Sequence, residues 1–167
     1  IFDAGMPFLR ISYYFTSATL VALGLHAVYY FRTALDIRYV IFLALATLGA
    51  DTFAYFVGRA IGKHKLNTRL SPKKTIEGSI GGIVCGGLLA LAYAYFVHIP
   101  YPLTHLALMS FVLATTGQIG DLTFSSIKRT FEVKDYSQIF PGHGGVLDRF
   151  DSIIFNSMIL GFLLTLL

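Results

Sequence analysis

The stretch YVIFLALATLGADTFAYFVG, residues 39–58, decides the fold of this chain. It has roughly the 20 mostly apolar residues that a helix needs to cross a bilayer, and its one charged residue is Asp51. Apolar runs of similar length lie at residues 11–31, 78–97 and 103–120. The whole chain is 55% hydrophobic and 13% charged, which is about half the charged fraction of a soluble domain. The sequence therefore predicts an integral membrane protein.

The apolar runs and the breaks between them predict the helices. We expect five, at about residues 8–31, 37–62, 77–97, 103–131 and 148–167. The fold class is therefore an all-α polytopic transmembrane bundle of about five spans, with residues 1–167 forming a single membrane domain. The chain begins with Ile and shows no signal peptide, so we expect it to be the C-terminal part of a longer polytopic protein.

Lysine and arginine predict the orientation of the bundle. If five helices alternate in direction, ten of the 13 basic residues, all between residues 59 and 149, fall on one side. Arg10 joins them, whereas Arg32 and Arg38 fall on the opposite side. The positive-inside rule makes the crowded side cytoplasmic. We expect a multi-pass protein whose site faces the cytoplasm.

Two aspartates lie inside predicted spans. Asp51 and Asp121 each sit two or three turns from the cytoplasmic end of a helix. A charged side chain in hydrocarbon costs on the order of 2.5–3.5 kcal/mol even on lenient scales, so each needs a polar cavity and a partner. A simple ion pair between helices is the alternative interpretation for both residues.

Two more aspartates, Asp148 and Asp151, are three residues apart in the first turn of the last helix, where they share a face. One of them alone reads as an N-cap. Together with Asp51 and Asp121 they are better explained as ligands of a hard cation, because Mg²⁺ prefers carboxylate, water and phosphate oxygens.

The sequence PGHGG, residues 141–145, precedes this last helix. Gly142, Gly144 and Gly145 leave the backbone free to turn its amides toward an anion. We predict a phosphate-handling loop here, with a plain turn as the alternative. His143 would contact phosphate or shuttle a proton, unless it only stabilises the turn.

A second loop, LSPKKTIEG at residues 70–78, points to the same chemistry. Ser71 and Pro72 predict the start of a turn or a helix, and basic side chains near a helix N-terminus form an anion site. The residues expected near that N-terminus are Lys73, Lys74 and Thr75.

Glycines recur every four residues after this loop, at Gly78, Gly82 and Gly86. Such a face lets membrane helices approach closely, so we predict helix packing, against the helices that carry Asp51 and Asp121. The chain has no GxSxG, Walker A or HExxH sequence. With no evident protein nucleophile, the simplest chemistry is direct attack of one substrate on another, organised by a metal.

The stretch SSIKRTFEVKDYSQIFPGHGGVLDRFDS, residues 125–152, resembles the signature of the phosphatidate cytidylyltransferases, or CDP-diacylglycerol synthases. GDLTFSSIKR, DTFAYFVGR and SPKKTIEGSIGG also resemble blocks of that family, so the resemblance covers about residues 49–152 and places the catalytic signature at 121–152. The positions that match the signature are Ser126, Lys128, Arg129, Lys134, Asp135, Pro141 to Gly145, Asp148, Arg149 and Asp151.

The resemblance implies that CTP and phosphatidate give CDP-diacylglycerol and pyrophosphate, with Mg²⁺ required and a second cation left open. It also implies a helical homodimer in the bilayer of a bacterial-type cytoplasmic membrane, with no nucleic acid partner. The residues expected to act in catalysis are Asp121, Asp148, Asp151, Lys128, Arg129 and His143. Those expected to bind substrate are Ser71, Lys73, Lys74, Thr75, Ser126, Lys134, Gly142, Gly144, Gly145 and Arg149. Asp51, Asp121, Asp148 and Asp151 are the expected metal ligands.

Two other functions remain open at this point. A CTP-dependent lipid kinase, or a cytidylyltransferase for another lipid phosphate, would use similar loops around a different lipid. A cation transporter would use Asp51 and Asp121 to carry ions through the bilayer, but it would leave the PGHGG loop and the basic loops without a role.

Overall fold

A computed structural model of the chain describes residues 8–67, 71–130 and 147–167. The helices are α1 (Phe8–Tyr30), α2 (Ile37–Ile61), α3 (Ile76–Phe96), α4 (Leu103–Thr130) and α5 (Leu147–Leu166). A π-helical turn, Phe31–Leu35, continues α1. Each helix begins and ends within one residue of the predicted bounds, so the five-helix prediction is confirmed.

The helices have the composition of a membrane bundle. Across the described ranges, four stretches are long and apolar enough to cross a membrane: Ile11–Leu35, Ile37–Ile61, Ile76–Phe96 and Leu103–Arg129. The apolar part of α5, Phe150–Leu166, is shorter. The all-α polytopic bundle is therefore confirmed; where about five spans were expected, the described residues form four helices of spanning length and one shorter apolar helix.

A small β-hairpin between α2 and α3 corrects one prediction. Its strands, β1 (Lys65–Asn67) and β2 (Ser71–Thr75), pair antiparallel. The expectation that Ser71 and Pro72 start a turn or helix is wrong, because the helix begins at Ile76. A residue before proline favours extended backbone, and Thr75 supplies the N-cap, since its Oγ1 accepts a hydrogen bond from the Gly78 amide at 3.2 Å.

At the other end of the bundle, Asp36 caps α2. Its carboxylate accepts a hydrogen bond from the Arg38 amide at 2.8 Å and lies 3.3 Å from Arg38 Nε. The hydrogen bond from the Arg38 amide, and after it the Arg38 guanidinium, lower the pKa of Asp36 below its usual range. Arg38 Nη1 also donates to the Val97 carbonyl at 2.9 Å. Arg38 therefore ties the start of α2 to the end of α3.

Helix α3 ends in a left-handed residue, His98, whose φ is 54°. The His98 amide donates to Tyr95 O at 3.2 Å, and the Ile99 amide donates to Ala94 O at 3.1 Å. These two bonds are the pair that defines a Schellman motif, in which the left-handed position is usually glycine. The helix end is therefore satisfied at the cost of a strained histidine backbone.

Helices α2 and α3 pack with their backbones in contact. A Cβ added at Gly78 would lie 2.5 Å from Ala54 O, one at Gly82 2.5 Å from Ala50 O, and one at Gly86 2.5 Å from Ala50 N. Real Cβ atoms are not found at such distances. The predicted packing role of these glycines is confirmed, against the helix that carries Asp51.

The apolar core occupies one half of the bundle. It is formed by the first halves of α2 and α4 and the second halves of α3 and α5. Its fully buried members include Phe42, Leu43, Ala90, Ala94, Leu106, Met109, Leu113 and Leu160. The opposite half, where α2 ends and the hairpin lies, contains a group of charged and polar side chains.

Candidate active site

A cavity of about 470 Å³ lies between the end of α2, the hairpin, the start of α3 and the second half of α4. It collects six of the residues predicted for the site from three separate parts of the chain. Those residues are Asp51, Ser71, Lys73, Lys74, Thr75 and Asp121. The remaining lining residues are Ala54, Tyr55, Gly58, Arg59, Gly62, Lys65, Ser79, Gln118 and Ser125.

Lys74 lies between the two intramembrane aspartates. Its Nζ is 2.6 Å from Asp121 Oδ2 and 3.7 Å from Asp51 Oδ1. All three side chains are mostly buried, with 23% of the lysine, 35% of Asp51 and 27% of Asp121 exposed. An uncompensated carboxylate is costly here, so Lys74 is the partner that the sequence required for both acids.

Glu77, at the start of α3, anchors the hairpin and thereby helps to hold Lys74 in this position. Glu77 Oε1 lies 2.6 Å from His64 Nδ1. The Glu77 carboxylate also accepts hydrogen bonds from the amides of Lys63, at 3.1 Å, and His64, at 3.2 Å. The approach to β1 is therefore fixed to α3, and β1 in turn pairs with the strand that carries Lys74.

Gln118 ties α4 to the start of α3 beside the cavity. Gln118 Nε2 donates a hydrogen bond to Ser79 O at 3.0 Å, and Ser79 Oγ donates one to Gln118 Oε1. Gln118 lies three residues before Asp121 on the same helix. The side-chain amide of Gln118 therefore fixes the position of Asp121 along the α4 axis relative to the strand that carries Lys74.

A second ion pair lies on α4 and α5. Lys128 Nζ is 3.8 Å from Asp151 Oδ2, and both side chains are buried, with 11% and 5% exposed. Asp151 Oδ1 accepts hydrogen bonds from the amide and hydroxyl of Ser152, at 2.7 and 3.2 Å, whereas no described residue donates a hydrogen bond to its Oδ2.

The arrangement of the acids bears on whether they could hold a divalent cation. Within residues 8–67, 71–130 and 147–167, no group of three or more His, Cys, Asp or Glu side chains is placed to hold a metal ion. However, Mg²⁺ in proteins is usually bound by one or two carboxylates, waters and substrate phosphates. Asp51 and Asp121 converge on one cationic group, and within the described part of the chain Asp151 Oδ2 accepts no hydrogen bond. This all-oxygen donor set fits Mg²⁺.

The other predicted residues lie on α4, in the first turn of α5 or outside the described part of the chain. Ser126 is half-buried and Arg129 exposed on α4, while the neighbouring Ser125 lines the cavity. Asp148 and Arg149 lie in the first turn of α5, and their side chains fall outside the description. The predictions on Lys134, Asp135, Pro141, Gly142, His143, Gly144 and Gly145 concern residues that lie outside the described ranges.

The sequence interpretation missed several cavity residues. Gln118 carried a usable signal, because it is a polar side chain inside an apolar span, as Asp51 and Asp121 are. Arg59 and Tyr55 are one turn apart on α2, and Arg59 Nη1 donates to the Tyr55 hydroxyl at 3.2 Å. Ser79 and Lys65 enter the cavity through the hairpin geometry, which no local pattern announces.

Comparison with known proteins gives a consistent result. A sequence model described as "Cytidylyltransferase family" matches residues 4–167. The phosphatidate cytidylyltransferase of Staphylococcus epidermidis (strain ATCC 35984) is 44% identical over 151 residues, which are 90% of this chain and 58% of the relative. The same-named protein of Bacillus subtilis (strain 168) is 44% identical over 130 residues, 78% of this chain and 48% of the relative. That of Staphylococcus aureus (strain COL) is 41% identical over 151 residues, 90% of this chain and 58% of the relative. The chain thus spans about half the length of these relatives.

Proposed function

The chain belongs to the cytidylyltransferase family, and we propose that the protein is a phosphatidate cytidylyltransferase. It would transfer the cytidylyl group of CTP to phosphatidate, giving CDP-diacylglycerol and pyrophosphate. Relatives that are 41–44% identical carry that name. The charged cavity within a membrane bundle supports the same assignment.

The observation that carries the proposal is the position of Lys74 between Asp51 and Asp121, on the wall of this cavity. Cationic and anionic groups meet there at the polar end of an otherwise apolar bundle. A phosphorylated lipid can present its headgroup at such a boundary while its chains remain among apolar helices. A nucleotide can reach the same cavity from water.

The basic side chains of the cavity are suited to bind phosphates. Arg59, Lys65, Lys73 and Lys74 all line it. The planar guanidinium of Arg59 can donate two parallel hydrogen bonds to one phosphate, whereas each lysine acts as a point charge. These four cations can offset part of the negative charge of a triphosphate and a lipid phosphate.

The proposed reaction needs positioning more than acid–base chemistry. An ionised oxygen of the phosphatidate phosphate attacks the α-phosphorus of CTP and forms the new P–O bond. The bond from the α-phosphorus to the oxygen bridging to the β-phosphate breaks, and pyrophosphate leaves with that electron pair. Because the attacking oxygen is already deprotonated, no protein base is required. Cations that align the two phosphates and neutralise their charge would supply most of the catalysis.

Asp51, Asp121, Asp148 and Asp151 are the residues proposed to hold Mg²⁺. When bound, the ion would supply positive charge that offsets the charge developing on the leaving pyrophosphate. Lys74 offsets one of the two negative charges of Asp51 and Asp121 without the ion. The protein therefore keeps this acidic pair stable before substrates arrive.

The proposal also covers orientation and assembly. Arg59, Lys63, Lys65, Lys73 and Lys74 lie at the end of the bundle that holds the cavity, while Arg32 and Arg38 lie at the opposite end. By the positive-inside rule this distribution favours a cytoplasmic site in a bacterial-type inner membrane. A homodimer is proposed from the family resemblance, and chemical cross-linking in native membranes would test it.

The experiment measures pyrophosphate release in detergent micelles containing CTP, phosphatidate and Mg²⁺. We expect release to require both substrates and to fall at least about 100-fold in Asp121→Asn, as losses of charge-stabilising groups do. Asp36→Asn is the matched control, because it makes the same chemical change at the opposite end of the bundle. Asparagine is also a good N-cap, so this variant should keep full activity.

Three results would contradict the proposal. Release of CDP with a lipid alcohol would indicate a lipid kinase, and release of pyrophosphate only with another lipid phosphate would change the substrate. Flux of cations through vesicles without CTP, abolished by Asp121→Asn, would indicate a transporter.

A further inference from the structure

A buried polar cluster lies in the membrane interior one turn below the acids. Asn156 of α5 is fully buried, and its Nδ2 donates to Thr47 Oγ1 of α2 at 2.8 Å and to Leu113 O of α4 at 2.7 Å. The Thr116 hydroxyl of α4 lies 2.6 Å from Asn156 Oδ1. We refer to Asn156, Thr47, Thr116 and the Leu113 carbonyl as the Asn156 cluster.

The hydrogen bonds of this cluster fix the orientation of the asparagine. The Leu113 carbonyl can only accept, so the amide nitrogen must face it, and the amide oxygen must then face Thr116. Gly117 leaves room for the side chain, because a Cβ there would lie 2.8 Å from Asn156 Nδ2. A single side chain therefore joins three helices at defined heights.

These three helices are the ones that carry the acids. Thr47 precedes Asp51 by four residues, Thr116 precedes Asp121 by five, and Asn156 follows Asp151 by five. At 1.5 Å per residue, the cluster lies about 6 to 8 Å along each helix axis from its acid. An axial slip of one helix at the cluster would carry its acid with it by the same distance.

We propose that Asn156, Thr47 and Thr116 are positioning residues, which set the relative heights of Asp51, Asp121 and Asp151. The apolar core alone leaves this height less defined, because apolar contacts have no directional preference. Hydrogen bonds inside a bilayer have directional geometry and no competing water. The kinetic consequence rests on the proposed function, whereas the structural consequence does not.

The structural test uses Lys74 as a reporter. Its Nζ is buried between Asp51 and Asp121, while Lys73, beside it on β2, is exposed. Labelling with an amine-reactive reagent, quantified by mass spectrometry, gives the Lys74-to-Lys73 ratio in the same molecule. This ratio rises when the two carboxylates no longer meet around Lys74.

The test variant is the double substitution Thr47→Val and Thr116→Val, which removes both hydroxyls without changing side-chain size. We expect the labelling ratio to rise several-fold and kcat/KM to fall about 10- to 100-fold, since a displacement near 1 Å can have that effect. The doubly conservative variant, Thr47→Ser with Thr116→Ser, keeps the hydroxyls and should restore both values.

Ser157→Ala is the matched control. Ser157 is as buried as Asn156, and its hydroxyl donates to Gly24 O of α1 at 2.8 Å. The substitution Ser157→Ala therefore removes a buried hydrogen bond between α5 and α1, a helix that carries none of these acids. It should lower the melting temperature without raising the labelling ratio.

The inference is overturned if the valine variant leaves the ratio unchanged, or if Ser157→Ala raises it equally. If the ratio responds as expected but the wild-type protein releases no pyrophosphate, the positioning role stands and the proposed function fails. If pyrophosphate release is normal and the ratio does not respond, the proposed function stands and the positioning role fails.

Discussion

The ammonium nitrogen of Lys74 lies 2.6 Å from Asp121 Oδ2, and the same nitrogen reaches Asp51 at 3.7 Å. A strand residue thereby occupies the point where two membrane helices present their carboxylates. A divalent cation bound by those carboxylates would occupy the same region. If the proposed metal site is correct, Lys74 and the metal ion compete for one pair of acids.

Replacing Lys74 with methionine tests this competition. In Lys74→Met the carboxylates keep their charge but lose their cation, so we expect Mn²⁺ to bind roughly tenfold more tightly in the absence of nucleotide. On the proposed function, cytidylyl transfer should nevertheless fall, because a cation proposed to bind phosphate is lost. Electron paramagnetic resonance of Mn²⁺ in detergent measures the affinity.

Lys73→Met is the control for Lys74→Met, since it removes an equal charge from the adjacent, exposed position. We expect a smaller gain in Mn²⁺ affinity from it. Weaker binding of Mn²⁺ to Lys74→Met than to the wild type would show that the two cations do not compete.

The contact between α2 and α3 predicts the effect of one added methyl group. In Gly86→Ala the new Cβ would meet the backbone of Ala50 at 2.5 Å. Because neither backbone can rotate away, the helices must separate, and we expect a loss of about 1–3 kcal/mol of stability. Thermal unfolding in detergent measures the change.

Gly161→Ala provides the comparison for Gly86→Ala. The nearest atom to its Cβ would be Phe31 Cζ at 3.7 Å, an ordinary contact. Alanine favours helix over glycine by about 1 kcal/mol, so this variant should be as stable as the wild type or more so. Equal destabilisation by both substitutions would argue against backbone contact as the cause.

The left-handed backbone of His98 predicts a stabilising substitution. A φ of 54° costs a residue other than glycine about 1–2 kcal/mol. Glycine avoids this strain, but it loses more backbone entropy on folding, which offsets part of the gain. We therefore expect His98→Gly to raise stability by about 1 kcal/mol over His98→Ala, which keeps the strained Cβ. A melting temperature for His98→Ala equal to or above that of His98→Gly would refute the assigned strain.

The lowered pKa of Asp36 predicts a pH dependence. A carboxyl group whose pKa is lower in the folded state stabilises the protein above its unfolded pKa of about 3.9, and this contribution is lost as the pH falls through the folded value. The melting temperature of wild type minus that of Asp36→Asn should therefore shrink between about pH 5 and pH 3. Other acids titrate in both proteins, so a difference that stays constant would mean that Asp36 contributes no pH dependence.

The helices were predictable because each carries its own signal. Apolar runs of spanning length and the breaks between them predicted every helix to within one residue. The glycines of α3 were also readable, since close approach of helices has a spacing of its own. Asp51 and Asp121 were found because charge inside an apolar run is costly.

The hairpin was not predictable from local pattern. Strand β2, SPKKT, has no alternation of apolar and polar residues, and β1 contributes three residues, Lys65–Asn67. The pair is fixed instead by Glu77, which binds the chain before β1 from the start of α3. That contact depends on tertiary structure. So does the pairing of Lys128 with Asp151 across two helices.

The backbone contact between α2 and α3 restricts how the cavity can open. Where Gly78, Gly82 and Gly86 meet α2, there are few side chains whose rotamers could change to let the helices slide. The two helices therefore behave as a single stiff wall that carries Asp51 and adjoins the strand of Lys74. Helix α4 forms the facing wall, with Asp121 on it. We therefore expect any motion that widens the cavity to displace α4 or the hairpin and to leave the contact between α2 and α3 intact.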